Sequence, residues 1–392
     1  MPGRFGSMVW RWAAAVAGAG LLAGAATVLV ATAPASAASS FVIGFANPIT
    51  GSEATYGVSD LNAAQMAANQ LNAKGGVDGH KIKLITCDTK GVPATGTACA
   101  DEFVTDDVNA VIGFFNSSIS LPASGILHRA GIPMVSGAST NPQLTEQGFK
   151  TVFRVCGTDN YQGLVEAEFA HKVLKDKYAV ALNDEETYGE GVANYFAQNF
   201  KKEGGHIVAA EGIDATATDY SSVLTQINSL SPKPQVIEFG GFNPAAGLLV
   251  KQARGLGMTQ TFISDDGVIG PLFYQTGGSA TVGSYLSSEP EPQQLPTSKH
   301  FVKEYVHKYH AQPTEFAGYV YDCLNVIATA AKSEHGITHR DLVKGLAKIH
   351  TYKGVTGVVN FNKIGNNITP QYLMFKVINA STNKVDWNPN AK

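Results

Sequence analysis

Two hydroxyl-rich turns carry the chemistry that this 392-residue chain has on offer: Asn116-Ser117-Ser118 and Gly137-Ala138-Ser139-Thr140-Asn141. Each follows a short apolar run, Ala110–Gly113 and Pro133–Ser136. A helix lies between them, with Pro122 placed in its first turn, where a missing N–H costs nothing, and Gly131 and Pro133 at its end. Strand, turn, helix, strand, turn delivers hydroxyls and free backbone N–H groups to one edge of a parallel sheet. That edge, beside helix N-termini, favours negative charge and suits a small carboxylate. Turns after later strands add Tyr188, Phe242 and Asp266. A carboxylate such as Asp266 can hold an ammonium, and aromatic rings can close over an apolar side chain. Helix capping is the other use of Ser-rich turns of this kind.

Catalytic signatures are absent. There is no G-x-S-x-G, H-E-x-x-H or Walker A loop. The Gly-rich stretch Lys74–Lys81 lies between a helix and a strand, the wrong context for a phosphate cradle. His335 and His339 are separated by Gly336, which argues against a helical metal pair, and no metal site or cofactor is expected. Asp184-Glu185-Glu186 sits in a strand–helix turn and reads as solvated, with a place facing the cleft as the alternative. Charged residues make up 16% and the formal net charge is −3, so no basic surface points to nucleic acid.

The N-terminus reads as an export signal. Arg4 and Arg11 precede an uncharged, Ala-rich run from Trp12 to Ala33, and Ala35-Ser36-Ala37 is a small-residue cleavage site. Cleavage after Ala37 is the expectation; retention as an anchor is the alternative, because the run could just span a bilayer. No Cys lies near the site, which speaks against a lipoprotein. Exported proteins can form disulfides. Cys87 ends a strand and Cys99 sits early in the next helix, so Cys87–Cys99 is the preferred pair; Cys156 and Cys323 are left as a second pair, or as buried thiols.

Around these residues the pattern is strand–helix alternation. Strands are expected at Phe41–Ala46, Lys81–Thr86, Ala110–Gly113, Pro133–Ser136 and Val152–Val155. A second series follows at Tyr178–Leu182, His206–Glu211, Gln235–Phe239, Thr261–Ser264 and Gly283–Ser287. Helical spacing is read over Ser59–Ala73 after a loop Asn47–Val58, over Tyr161–Lys175, and in three late segments near Thr297–Tyr309, Glu315–Ser333 and His339–Leu346. Gly357–Phe361 and Tyr372–Ile378 read as a closing strand pair. Short loops and alternation predict parallel sheets with right-handed crossovers, hence an α/β protein of two doubly wound lobes.

From Phe41 onward the sequence resembles the branched-chain amino-acid (leucine/isoleucine/valine) binding proteins of ABC importers, which have the type I periplasmic-binding fold. The resembling stretches include Tyr56-Gly57, Leu71-Asn72-Ala73-Lys74-Gly75-Gly76-Val77-Asp78-Gly79, Val111-Ile112-Gly113 with Ser117-Ser118, and Ala138-Ser139-Thr140-Asn141-Pro142. The second half adds Tyr188-Gly189-Glu190-Gly191, Gly240-Gly241-Phe242 and Gln252-Ala253-Arg254. The resemblance implies that Ser117, Ala138 and Thr140 hold a ligand's α-carboxylate and α-ammonium, with the Ser139 N–H beside them. It implies that Tyr56 and Tyr188 are cleft aromatics. Phe242 falls where a Tyr is usual, and Asp266 where amino-acid binders of the family carry Glu. It further implies lobe 1 from 38–155 and 288–361, lobe 2 from 156–287 and 362–392, and hinge crossovers near 156–158, 287–290 and 362–371. The implied partners are a small amino acid and ABC permease subunits. A monomer is expected, and the lack of a nucleophile–base pair speaks against an enzyme. The alternative is the same fold binding a short amide, urea or an aromatic acid, as a transport receptor or a sensor.

Overall fold

A computed structural model describes residues 40–379, 381–385 and 387. The expected export signal, residues 1–37, lies outside the described residues. The first sheet contains β1 (Phe41–Asn47), β2 (Ile82–Asp88), β3 (Ala110–Gly113), β4 (Met134–Ser136) and β5 (Val152–Arg154), in the order β2-β1-β3-β4-β5, all parallel. β1 is the sequence Phe-Val-Ile-Gly-Phe-Ala-Asn, nearly continuous in apolar residues because both of its faces are covered. One face packs Phe41, Ile43 and Phe45 against the helices Ala54–Ala73, Ala317–Glu334 and His339–Leu346. The other packs Val111 and Met134 against Pro93–Thr105 and Ser117–Arg129.

The second sheet contains β6 (Tyr178–Asn183), β7 (His206–Gly212), β8 (Val236–Gly240), β9 (Thr261–Ser264) and β10 (Tyr285–Ser288) in the parallel order β7-β6-β8-β9-β10. Helices cover both of its faces: Ser221–Ser229, Ala245–Gly255 and Pro271–Gly277 on one, Asp159–Glu168 and Thr187–Lys202 on the other. The α/β architecture with two doubly wound lobes is therefore the one expected. In each sheet a strand-order reversal, β1/β3 and β6/β8, opens a crevice at the carboxyl ends of the strands. The chain passes between the sheets after Arg154, after Ser288, and between Val359 and Leu373.

Several local expectations need correction. The closing strand pair does not form. β11 (Tyr352–Gly354) and β12 (Gly357–Val359) make their own small hairpin, while β13 (Leu373–Ile378) and β14 (Ser381–Lys384) extend the second sheet antiparallel from β10. Phe375 and Val377 explain the choice, because they complete the apolar face of that sheet. The first helix starts at Ala54 rather than Ser59, so Tyr56 lies in its first turn. Gly57 permits this, since a Cβ there would stand 2.0 Å from the Pro48 carbonyl oxygen. Pro122 lies inside a helix that already begins at Ser117, not in its first turn.

Cys87 and Cys99 are disulfide-bonded, with Cα atoms 5.8 Å apart. Cys156 and Cys323 are not a pair. Both are free and fully buried in the same apolar core, and the Cys156 thiol reaches the Ser139 carbonyl at 3.7 Å. They pack there as small hydrophobes. No helix among the described residues is long and apolar enough to cross a membrane.

Candidate functional site

The carboxyl ends of β3 and β4 carry the two hydroxyl-rich turns, and internal hydrogen bonds lace them together. The Ser136 hydroxyl oxygen accepts the N–H groups of Ala138 (3.4 Å) and Ser139 (3.0 Å). The Ser139 hydroxyl is directed at the carbonyls of Phe114 and Phe115, each 2.9 Å away, and at Ser120. Arg154, fully buried at the end of β5, donates to the Ser139 and Asn141 carbonyls at 3.1 and 2.7 Å. It also donates to Thr145 Oγ1 at 3.2 Å and Asn366 Oδ1 at 2.6 Å. A guanidinium has five donors and no acceptor, so it suits a cluster of carbonyls facing inward.

Opposite stands the edge of the second sheet. Tyr188 follows β6, Phe242 follows β8 and Asp266 follows β9. The helix bearing Tyr188 approaches β8 so closely that a Cβ on Gly189 would meet the Gly240 carbonyl oxygen at 2.4 Å. The Tyr188 hydroxyl donates to Asp266 Oδ1 and accepts the Gly267 N–H at 3.3 Å. Asp266 Oδ2 has no hydrogen-bond partner. Burial raises the Asp266 carboxyl to about 6, against the lowering effect of the Tyr188 hydroxyl, Gln162 and the Gly267 N–H.

These two edges enclose one cavity. Ser117, Ala138 and Thr140 line it from the first lobe, and Tyr188, Phe242 and Asp266 from the second. Its free space is about 10 Å³, room for about one water. An amino acid therefore enters only if the lobes part or the aromatic rings turn. Ser139, expected beside Thr140, does not line the cavity; its N–H and hydroxyl are both engaged within the protein. Tyr56 stands just outside, stacked on Phe115 with ring centroids 5.4 Å apart, and its hydroxyl donates across the cleft to the Ile269 carbonyl.

Three lining residues escaped the sequence reading. Phe115 and Phe316 meet edge-to-face at 5.4 Å and 88°, and with Phe242, 6.2 Å from Phe115, they make the apolar part of the wall. Gly267 supplies the backbone N–H already described. Phe115 falls in sequence between the apolar run Ala110–Gly113 and the turn at Asn116, and Phe316 falls inside the helical segment Glu315–Ser333. Asp159, at the start of a helix, donates its N–H to the Thr140 carbonyl at 3.1 Å. Burial pushes its carboxyl up to about 8, although the Thr140 hydroxyl and Arg154 lower it. Asp184, for which the cleft is the alternative to solvent, is 5% exposed and lines a flank of the cleft with Glu186; burial pushes it up to about 7. Among the described residues no group of three or more His, Cys, Asp or Glu is arranged to hold a metal ion.

The chain matches the model of the periplasmic binding protein family over residues 40–382. It is 30% identical over 356 residues to Leu/Ile/Val-binding protein homolog 1 of Brucella suis, covering 91% of this chain and 95% of that one. It is 34% identical over 340 residues to an amino acid binding protein of Pseudomonas aeruginosa, covering 86% and 89%. Among solved structures it resembles the leucine-binding protein LivK of Thermotoga maritima (TM-score 0.83, 29% identity, 89% of this chain and 99% of that one). It also resembles the branched-chain amino-acid binding protein LivJ of Streptococcus pneumoniae in complex with isoleucine (TM-score 0.80, 29% identity, 88% and 97%). Two lobes of one strand order, facing each other across a crevice of carboxyl strand ends, and a match along nearly all of the described chain lead to one assignment: the protein belongs to the periplasmic binding protein family, with the Leu/Ile/Val-binding proteins.

Proposed function

We propose that the protein is an extracytoplasmic solute receptor that captures a small amino acid, branched-chain or another neutral aliphatic one, and hands it to an ABC importer. It performs no chemistry on its cargo. The observation that carries this reading is the opposition, in one cavity, of carboxylate-binding hydroxyls (Ser117, Thr140) to a partner-seeking carboxylate (Asp266) with aromatic rings between them. A zwitterion with an apolar side chain satisfies all three. Ser117 and Thr140 take its carboxylate, with the backbone at Ala138. Asp266, held by Tyr188, takes its ammonium. Tyr56 and Phe242 cover its side chain. An aromatic acid or another anion without an ammonium would leave Asp266 facing like charge.

In this reading lobe 1 is residues 38–155 with 288–361, and lobe 2 is 156–287 with 362–392. The segments 156–158, 287–290 and 362–371 form the hinge. Ligand lands on lobe 1, and the lobe 2 contacts supply the differential affinity that closure needs. Residues 1–37 act as a signal peptide cleaved after Ala37, without lipid attachment, and the mature monomer docks on permease subunits.

The test is a thermal-shift screen of residues 38–392 with the twenty amino acids, urea, short amides and benzoate. Saturating aliphatic amino acids are expected to raise the melting temperature by mass action. A shift with amides or benzoate alone would move the function to the other ligand class.

A further inference from the structure

The cleft contains a second compartment, on the other side of Tyr56 and Phe242 from the anchoring hydroxyls. It is built by both lobes and holds about 360 Å³ of free space against about 10 Å³ for the first cavity. Tyr56 belongs to its wall, and Phe242 and Gly267 line both spaces, so the two adjoin with the Phe242 ring shared between them.

The lining is one-sided in charge. Glu53, Glu291 and Glu315 contribute carboxylates, Asn243, Gln293 and Gln312 contribute neutral amides, and none of the lining residues is Lys, Arg or His. Three polar atoms are left over, one each on Glu315, Asn243 and Thr314, whose Oγ1 has no partner. Glu315 is 2% exposed; its Oε1 accepts the Ser288 hydroxyl, and its Oε2 has no partner. Asn243 is 7% exposed; its amide nitrogen donates to the Val268 carbonyl at 2.8 Å, and its Oδ1 has no partner. Burial raises the carboxyls of Glu53, Glu291 and Glu315, a cost that a positive neighbour would offset. The rings of Tyr56 and Phe242 present faces on which a cation can rest. Ile269 and Leu272 provide an apolar shelf for methylenes.

We propose that this compartment is a second ligand subsite, for an ammonium or guanidinium carried on a short alkyl chain. Hydrogen-bond donors of such a group match the leftover acceptors, whereas an anion or a bare hydrocarbon would leave them unpaired. The cation comes either as the distal end of a linear basic amino acid, which rests on the amino-acid reading above, or as a free small amine bound beside a neutral amino acid.

Isothermal titration of residues 38–392 at pH 7 separates these sources and tests the site. The probes are lysine, norleucine, valine and 1,4-diaminobutane. Lysine binding at least tenfold tighter than its uncharged counterpart norleucine assigns the tail. Binding of 1,4-diaminobutane to valine-saturated protein assigns the free amine. In either case Glu315→Gln and the half-buried Glu291→Gln are expected to weaken the cation tenfold or more and to leave valine within twofold. Thermal melts report that each variant is folded, and Glu291→Gln alone suffices if Glu315→Gln is not. Lysine no tighter than norleucine, with no heat from 1,4-diaminobutane, overturns the proposal, as does cation affinity unmoved by Glu291→Gln. Binding of 1,4-diaminobutane without any amino acid binding would sustain the subsite and sink the amino-acid reading instead.

Discussion

Asp266 combines deep burial, one oxygen on the Tyr188 hydroxyl and one without a partner. Its carboxyl is raised from 3.8 to about 6 by burial. In the empty folded protein it therefore keeps a proton that the unfolded chain has released. Its contribution to stability is fully present below pH 3.8 and is lost as pH rises toward 6. Ligand binding has the opposite sign, because an ammonium needs the ionised carboxylate. Affinity for valine is expected to be flat above neutrality and about tenfold weaker at pH 5 than at pH 7, while Asp266→Asn weakens binding and removes that pH step. Titration calorimetry across the range reads both. Phe115 governs a different property. Its ring occupies the wall between Tyr56, Phe242 and Phe316, so Phe115→Ala should improve phenylalanine binding relative to alanine by about tenfold or more, at a cost of about 3–5 kcal/mol in stability. An unchanged affinity ratio in a competition assay would show that this ring does not set ligand size. Asp266 was legible in the sequence because it falls in a turn after a strand of the second series and where amino-acid binders of the resembling family carry Glu. Phe115 was silent, because Val-Ile-Gly-Phe-Phe looks the same whether the last ring faces a core or a cleft.

The element that makes the anchoring edge rigid is the pair of turns after β3 and β4, and Arg154 is their common fastening. Replacing Arg154 by Met would strand acceptors on Ser139, Asn141, Thr145 and Asn366 inside the protein. The expected loss is at least about 3 kcal/mol in urea unfolding, since each unsatisfied buried group costs about 1–3 kcal/mol. Lys should not restore it, because it lacks the planar fork. Alternation of apolar runs with helical spacing made both sheets legible almost strand by strand. The failures lie where tertiary partners decide. Gly357–Val359 has the composition of a sheet strand, yet its partner is the neighbouring Tyr352–Gly354. Asp184-Glu185-Glu186 has the composition of a solvated turn, yet Asp184 is buried against the backbone at Gly189 and Gly241 of its own lobe, a tertiary contact that no local pattern encodes. Cys156 and Cys323 share a core without sharing a bond, a distinction that spacing along the chain does not contain.

At the scale of the molecule, direct bonds tie the lobes together: Tyr56 to the Ile269 carbonyl, and Asn141 Nδ2 to the Thr187 carbonyl at 2.9 Å. Neither needs a particular ligand side chain. Tyr56→Phe should therefore weaken every amino-acid ligand by a similar factor, about fivefold for one lost hydrogen bond, and enlarge the radius of gyration at subsaturating ligand in X-ray scattering. A loss confined to one side-chain type would mean that the hydroxyl reads the ligand rather than the closure. The threefold passage of the chain between the sheets has a further consequence, in the order of assembly. The face of the first sheet bearing Phe41, Ile43 and Phe45 is covered by Tyr319, Leu324, Ile327, Leu342 and Leu346, which follow the five parallel strands of the second sheet along the chain. A nascent N-terminal half can close the core on the other face of the sheet but leaves this face open. That face is expected to stay open until the helices after Ser288 have been synthesised, because contacts this distant in sequence pay their loop-closure entropy first. A polypeptide that finishes its first domain last remains threadable through a narrow channel for most of its synthesis.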